Sequence, residues 1–436
     1  MWVSASAFRR GLYAEHHDEL AFLYAQIARL RDDDDTPLSS VLDFERRLVA
    51  HLDALVIGAA TAWGEIEARH DDESAGHWYA AALLACAQRD EPRFAALLQR
   101  ASRGGSEDAA RALSDALRHA MPPDWAQRLP AWLVDASEPL LGWLADAASY
   151  RQPQACRDAL GRHFARAPAP SIAFVRALGR AGVAAASAWL GELSLRHADA
   201  DLRCAALLAL ADMRDEKALV LARRLVDLPQ VAHRVLGLIG DRGDAHALVD
   251  RLGSATPETL FALGLLGELS ATRPLLELLP HESLGGAAAT ALHWITGAPL
   301  LESVIEPDED EASGDYLRLR PGAALRRRPD GRPFGTEVQR LGRDPARWAQ
   351  WLAQAAPRFQ AGLCYRLGQP RTPAWLIAAL ADESRGARYR HLASEELPMR
   401  HRAPHRLDPR ATVGRQRAVL QRLAAWAGNE CEDATK

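Results

Sequence analysis

The chain has 436 residues, 48% of them hydrophobic but only 6% aromatic, and 53 basic against 57 acidic side chains give a net charge of −4. That balance argues against a whole-chain electrostatic hold on nucleic acid. Ala and Leu carry the apolar load, which favours packed helices over sheets. The charge is unevenly placed: residues 1–150 carry net −10, 151–300 net +1, 301–316 net −7 and 317–436 net +12.

Met1–Arg10 holds no apolar run of the signal-peptide kind. No stretch approaches the roughly 20 apolar residues that span a bilayer. Cys86, Cys156, Cys204, Cys364 and Cys431 are scattered, with no CxxC pair, as expected of reduced thiols in a cytoplasmic protein. Residues 8–30 and 40–69 show two long helical patterns divided by Asp32–Asp35 and Pro37. They are read as an N-terminal cap, 1–74. The aspartate run lacks the alternating ligands and turn glycine of a calcium loop and reads as a solvated helix break.

From 75 to 300 the sequence predicts a repeat array. Short amphipathic runs occupy Trp78–Gln88, Arg93–Ala101, Ala109–Ala120, Leu140–Ala148 and Gln154–Phe164. Self-similarity then becomes explicit in ALGRAGVAAAS, ALADMRDEKAL, LIGDRGDAHAL and LLGELSATRPL. The small residue of each copy is Gly179, Ala211, Gly240 and Gly267, with Thr296 at the same point of a fifth. Successive spacings are 32, 29, 27 and 29 residues. Each copy reads as a helical hairpin that cannot bury both faces alone, so the copies must stack. Thr256-Pro257 is predicted to start a helix, and Gly243-Asp244 to end one and cap the next. Leu210, Leu219, Ile239, Leu248, Leu266 and Leu275 are expected inside.

Residues 301–343 break the pattern, acidic first and then rich in Arg, Pro and Gly, and read as a long loop, mobile over 302–333. Its acidic run Glu306–Glu311 would face Arg326–Arg328 or solvent. Helices resume over 344–436, announced by Asp344-Pro345 and Thr372-Pro373. Trp189, Trp294, Trp348 and Trp375 fall on apolar helical faces and are expected in the core.

No phosphate loop (GxxxxGKS/T), GxSxG elbow, HExxH or GxGxxG occurs. His16 and His17 are adjacent and diverge on a helix, and Pro404 separates His401 from His405, so no metal or cofactor is expected from spacing. The one basic patch beside an aromatic is Arg385, Arg388, Tyr389 and Arg390. Its arginine forks suit the carboxylates of a protein partner. Reversing Arg385, Arg388 and Arg390 to Glu is expected to leave folding intact, since exposed ion pairs contribute only ~0–1 kcal/mol.

Three stretches carry a family resemblance. Near the start, His17-Asp18-Glu19-Leu20-Ala21-Phe22-Leu23 is followed by Glu45-Arg46-Arg47-Leu48 and His51-Leu52-Asp53-Ala54-Leu55. The repeats above form the second. The third runs from Gly362-Leu363-Cys364-Tyr365-Arg366-Leu367-Gly368-Gln369-Pro370 to Arg388-Tyr389-Arg390-His391-Leu392-Ala393-Ser394-Glu395-Glu396-Leu397. The repeats resemble short HEAT-like repeats of the phycobilisome-lyase type. The whole chain resembles uncharacterised bacterial HEAT-repeat proteins often encoded near type VI secretion genes. The resemblance implies an all-α solenoid of stacked hairpins that binds protein without catalysis, as immunity protein, adaptor or chaperone for a secreted effector toxin. Short HEAT-like repeats also occur in bilin lyases and in a group of DNA glycosylases, which makes a small-molecule or nucleic-acid enzyme the alternative. A glycosylase of that shape needs a basic groove, and the repeat block at net +1 does not supply one.

Overall fold

The computed structural model describes residues 4–33, 36–68, 74–165, 170–306 and 336–433. Among them are 21 α-helices and two small two-stranded ribbons, so the chain is an all-α helical-repeat protein. None of these helices is long and apolar enough to cross a membrane. The helices begin where short polar side chains answer the first free N–H groups. Ser74, Asp90, Ser106, Ser171, Asp199, Asp344 and Thr372 each accept a hydrogen bond from the first turn, a cap worth about 1 kcal/mol.

The chain divides into two compact units, residues 1–239 with 372–436 and residues 240–371. These bounds differ from the expected 1–74, 75–300, 301–343 and 344–436. The division falls at Gly240, inside the third explicit repeat copy, and splits the C-terminal region at 371/372.

The first unit opens with an antiparallel pair, α1 (Ala5–Asp32) and α2 (Leu38–Ala68). The first helices of successive hairpins then stack in one layer: α3 (Ala75–Gln88), α5 (Glu107–Ala120), α7 (Leu140–Arg151), α9 (Ile172–Ala181), α11 (Ala200–Asp212) and α13 (Pro229–Ile239). Their return helices are α4 (Glu91–Gly104), α6 (Leu129–Asp135), α8 (Pro153–Phe164), α10 (Ser187–Arg196) and α12 (Lys217–Arg224). On α9, Phe174, Val175 and Leu178 are fully buried, each contributing about 1.5–3 kcal/mol. The small residue of the repeat has its expected use at Gly179, where any Cβ would collide with the Ala209 backbone on the next first helix.

The second unit holds α14 (Arg242–Val249), α15 (Pro257–Leu266), α16 (Thr272–Leu278), α17 (Gly285–Thr296) and α18 (Pro345–Ala355). The expected 301–343 loop is strand at both ends: β1 (Leu301–Glu306) pairs antiparallel with β2 (Thr336–Leu341), Val304 opposite Val338. Neither LESVIE nor TEVQRL alternates apolar and polar residues, so periodicity gave no strand signal at either end. Residues 307–335, with most of the acidic run, Arg326–Arg328 and most of the segment expected to be mobile, lie outside the described residues. A second ribbon, β3 (Tyr365–Arg366) with β4 (Gln369–Pro370), turns through Leu367 and Gly368, both at positive φ, the geometry of a tight hairpin. It closes the ends of two helices: Tyr365 N–H donates to Gly267 O at 2.8 Å and Leu367 N–H to Trp294 O at 2.6 Å.

The first unit resumes with α19 (Pro373–Ala381), α20 (Ala387–Arg400) and α21 (Val413–Asp433). Helix α20 packs on α1, α11 and α13, so residues 372–436 cover part of the first-helix layer. Leu210, Leu248, Leu266 and Leu275 are buried as expected, whereas Leu219 and Ile239 are half-buried beside the fully buried Ala218 and Leu238. The cap assigned to Gly243-Asp244 belongs to Asp241, whose carboxylate accepts from Gly243 and Asp244 N–H at 2.8 and 3.2 Å. Truncating Leu248 to Ala is expected to cost ~2–5 kcal/mol, the range for a buried Leu, read as a lower urea midpoint. A cost below ~0.5 kcal/mol contradicts its place in the core.

Candidate functional site

The first-helix layer of the first unit carries charge on its inner side. Helix α5 presents Asp115 and Arg118, α7 Asp146, α9 Arg176 and Arg180, and α11 Asp212; all are buried or nearly so. Isolated charges in such a place are prohibitively costly, so each is paired. Arg118, with no exposed surface, donates to Asp146 Oδ2 at 2.6 Å and to Asp408 Oδ1 at 3.2 Å. Arg180 bridges to the other oxygen of Asp146 and donates to Ser149 Oγ at 2.8 Å. Arg410 reaches Asp115 at 3.1 Å, Arg406 reaches Asp212 at 2.5 Å, and Arg176 and Arg234 share Glu395 at 3.0 and 2.7 Å. The ladder therefore fastens residues 395–410 to helices α5 through α13.

These residues missed notice in the sequence because their partners stand up to 295 positions away. A signal was present. The position after the small repeat residue is charged in all four copies: Arg180, Asp212, Asp241 and Glu268. Such a position beside a helix–helix contact is a poor place for solvent exposure.

The same segment roofs a cavity of about 610 Å³ lined by eight arginines and two aspartates. Arg118, Arg180 and Arg406 are taken up by the ladder. Arg151, Arg157, Arg214, Arg415 and Arg422 have no carboxylate within 4.0 Å among the described residues. Arg157 donates to Ala181 O at 2.8 Å and Arg415 to His119 O at 2.8 Å, so their guanidinium groups are positioned by backbone carbonyls and keep their charge uncompensated. Partial burial, then repulsion from Arg406 and Arg402, lowers the pKa of Arg214, and burial lowers that of Arg415. Guanidinium forks crowded in this way favour a multivalent anion.

The patch expected at Arg385, Arg388, Tyr389 and Arg390 is not a single surface. Arg385 pairs with Asp382 at 3.2 Å and lies over the Tyr389 ring at 5.3 Å. Arg388 is exposed. Tyr389 and Arg390 are interior, 8% and 4% exposed, and Arg390 donates to Leu380 O at 3.1 Å and to Gln416 Oε1 at 2.6 Å. Helix α20 is polar yet packed on most sides. The triple reversal to Glu would bury a carboxylate against these acceptors at position 390 and therefore costs stability, contrary to the reading of an exposed patch. Of the tryptophans, Trp294 and Trp348 are buried and Trp189 and Trp375 half-buried.

No family model matches the chain, and no curated protein matches it.

Protonation ties the ladder to pH. Burial alone would raise Asp115 and Asp146; Arg410 with Arg118, and Arg180 with Arg118, outweigh it and hold both below the usual carboxylate value. Burial wins at Asp408, which is raised. At Glu395 burial is overcome by Arg234 and Arg176, and the carboxyl sits at about 2 against an ordinary 4.5. Its contribution, roughly 3 kcal/mol, is complete above pH 4.5 and lost as the pH falls from 4.5 to about 2. Denaturant titrations of Glu395→Gln are expected to show a shallower loss of stability across that interval than wild type; equal slopes contradict the assignment. At neutral pH, Arg118→Ala leaves the buried Asp408 without its ion pair, and Asp115 and Asp146 with one partner each, Arg410 and Arg180; it is expected to cost ~3–5 kcal/mol, read in the same titration.

Proposed function

We propose that the chain is a non-enzymatic protein-binding scaffold whose first unit takes an acidic segment of its partner into the arginine-lined cavity. The observation that carries this reading is the set of five guanidinium groups around one cavity that have no carboxylate within 4.0 Å among the described residues. A repeat stack offers many side chains on a rigid frame, and an acidic segment answers unpaired arginines through charge-assisted hydrogen bonds. The hydroxyl of Ser149 accepts from Arg180 and donates to Asp146 O at 2.7 Å, so it serves the ladder. The resemblance to bacterial HEAT-repeat proteins encoded near type VI secretion genes suggests an effector as the partner, with this chain as immunity protein, adaptor or chaperone in the cytoplasm.

A second reading is favoured by the same arginines, which suit phosphates equally: a nucleic-acid strand would then occupy the cavity. Fluorescence anisotropy separates the two. A labelled Asp/Glu-rich peptide is expected to bind, and to weaken as salt rises. Arg214→Gln combined with Arg422→Glu changes two side chains with no ion pair among the described residues. Loss of two charged contacts at ~1.5 kcal/mol or more each is expected to lower affinity about 100-fold. An oligonucleotide bound more tightly than the peptide supports the second reading. Peptide binding unchanged in the double variant contradicts the first.

A further inference from the structure

Three ligand-type side chains meet where α1 passes the start of α3. His17 and Asp18 lie on α1 and His77 in the first turn of α3, and their ligand atoms all fall within 4.8 Å of one another. His77 Nε2 stands 3.3 Å from Asp18 Oδ1. With metal–ligand bonds of ~2.0–2.1 Å, the edge of a tetrahedral zinc site is about 3.4 Å. The His17 and His77 ring centroids are 4.9 Å apart, and two imidazoles sharing one tetrahedral ion stand about 5 Å apart by the same bond lengths. His77 Nδ1 lies 2.7 Å from Ser74 Oγ, the N-cap of α3. That contact engages Nδ1 and leaves Nε2 toward Asp18, as an outer-shell partner orients a metal-bound histidine.

Exposure is graded from inside to outside: His17 is 2% exposed, the side chain of His77 18% and that of Asp18 51%. Both rings line a cavity of about 170 Å³, which leaves room for an ion and a path to it; Glu67 in the same lining is paired with Arg93 at 3.7 Å. A divalent ion takes both rings in their neutral form and the carboxylate together. The geometry points to a zinc-type divalent metal site formed by His17, Asp18 and His77, with a fourth position open to water. Spacing along the chain does not show it, because His77 is separated from His17 by 60 positions.

The test titrates the whole chain at neutral pH with Zn²⁺ by calorimetry and with Co²⁺ by visible absorption. One ion per chain is expected, with the strong visible bands of four-coordinate Co²⁺. His77→Ala and Asp18→Asn are each expected to weaken binding at least ~10-fold, since loss of an outer-shell partner alone does so. His51→Ala, which removes a separate contact of His16 and His51 at 3.0 Å between Nδ1 atoms, is expected to leave affinity unchanged. Circular dichroism reports folding of each variant, and His77→Gln replaces His77→Ala if the latter unfolds. Absence of one-to-one binding, wild-type affinity in the His77 and Asp18 variants, or a loss that follows His51 instead would each overturn the site.

Discussion

Arg118 is the point on which the first unit turns. It has no exposed surface, and it holds Asp146 from the repeat stack and Asp408 from the C-terminal segment at once. A guanidinium in that position is tolerable only because carboxylates of both kinds converge on it. Each of those carboxylates is tolerable only because Arg118, Arg180 or Arg410 faces it. An apolar seal would exclude water equally well. What the charges add is register: Asp408 fits opposite Arg118, Arg410 opposite Asp115, and Arg406 opposite Asp212.

That docking makes the cavity. Residues 404–422 bring Arg406, Arg415 and Arg422 to face Arg151, Arg157 and Arg214 of the repeat helices. Within the ladder charge is matched; at the cavity it is in surplus. The whole-chain balance of −4 conceals this separation, because the counting windows follow sequence while the field follows packing. The inner side of the repeat stack is partly covered by the chain's own C-terminal region, and a surplus of positive charge is left at the cavity.

Local signals in the sequence were legible where the physics is local. Asp344, Thr372 and Thr256-Pro257 mark helix starts as read, because a cap depends on three or four neighbouring residues. Gly179 has the close-packing role its repeat position implied. Asp241 and Asp244 are both capping residues, and only the backbone decides between them. The polar sequence of α20 argues for a surface helix, yet Tyr389, Arg390 and Glu396 are buried, since the faces it meets are charged as well. Leu367-Gly368 is a hairpin turn inside a stretch noticed only for its family resemblance. The ladder and the His17–His77 pairing depend on contacts between distant segments, which periodicity does not encode.

Residues 401–412 have no regular helix or strand, yet Ala403, Leu407, Asp408 and Ala411 are buried. Side-chain ion pairs and the burial of these apolar side chains, more than backbone bonds, therefore hold this segment in place. Hydrogen–deuterium exchange over 401–412, compared between wild type and Arg118→Ala, tests that claim most directly. The account predicts that the hydrogen-bonded amides of this segment, Ala403 to Leu397 O and Ala411 to Asp408 O, are protected in wild type and exchange on the timescale of an open loop in the variant, while α3 and α4 keep their protection. Fast exchange of these two amides in wild type, or their equal protection in both proteins, would contradict it.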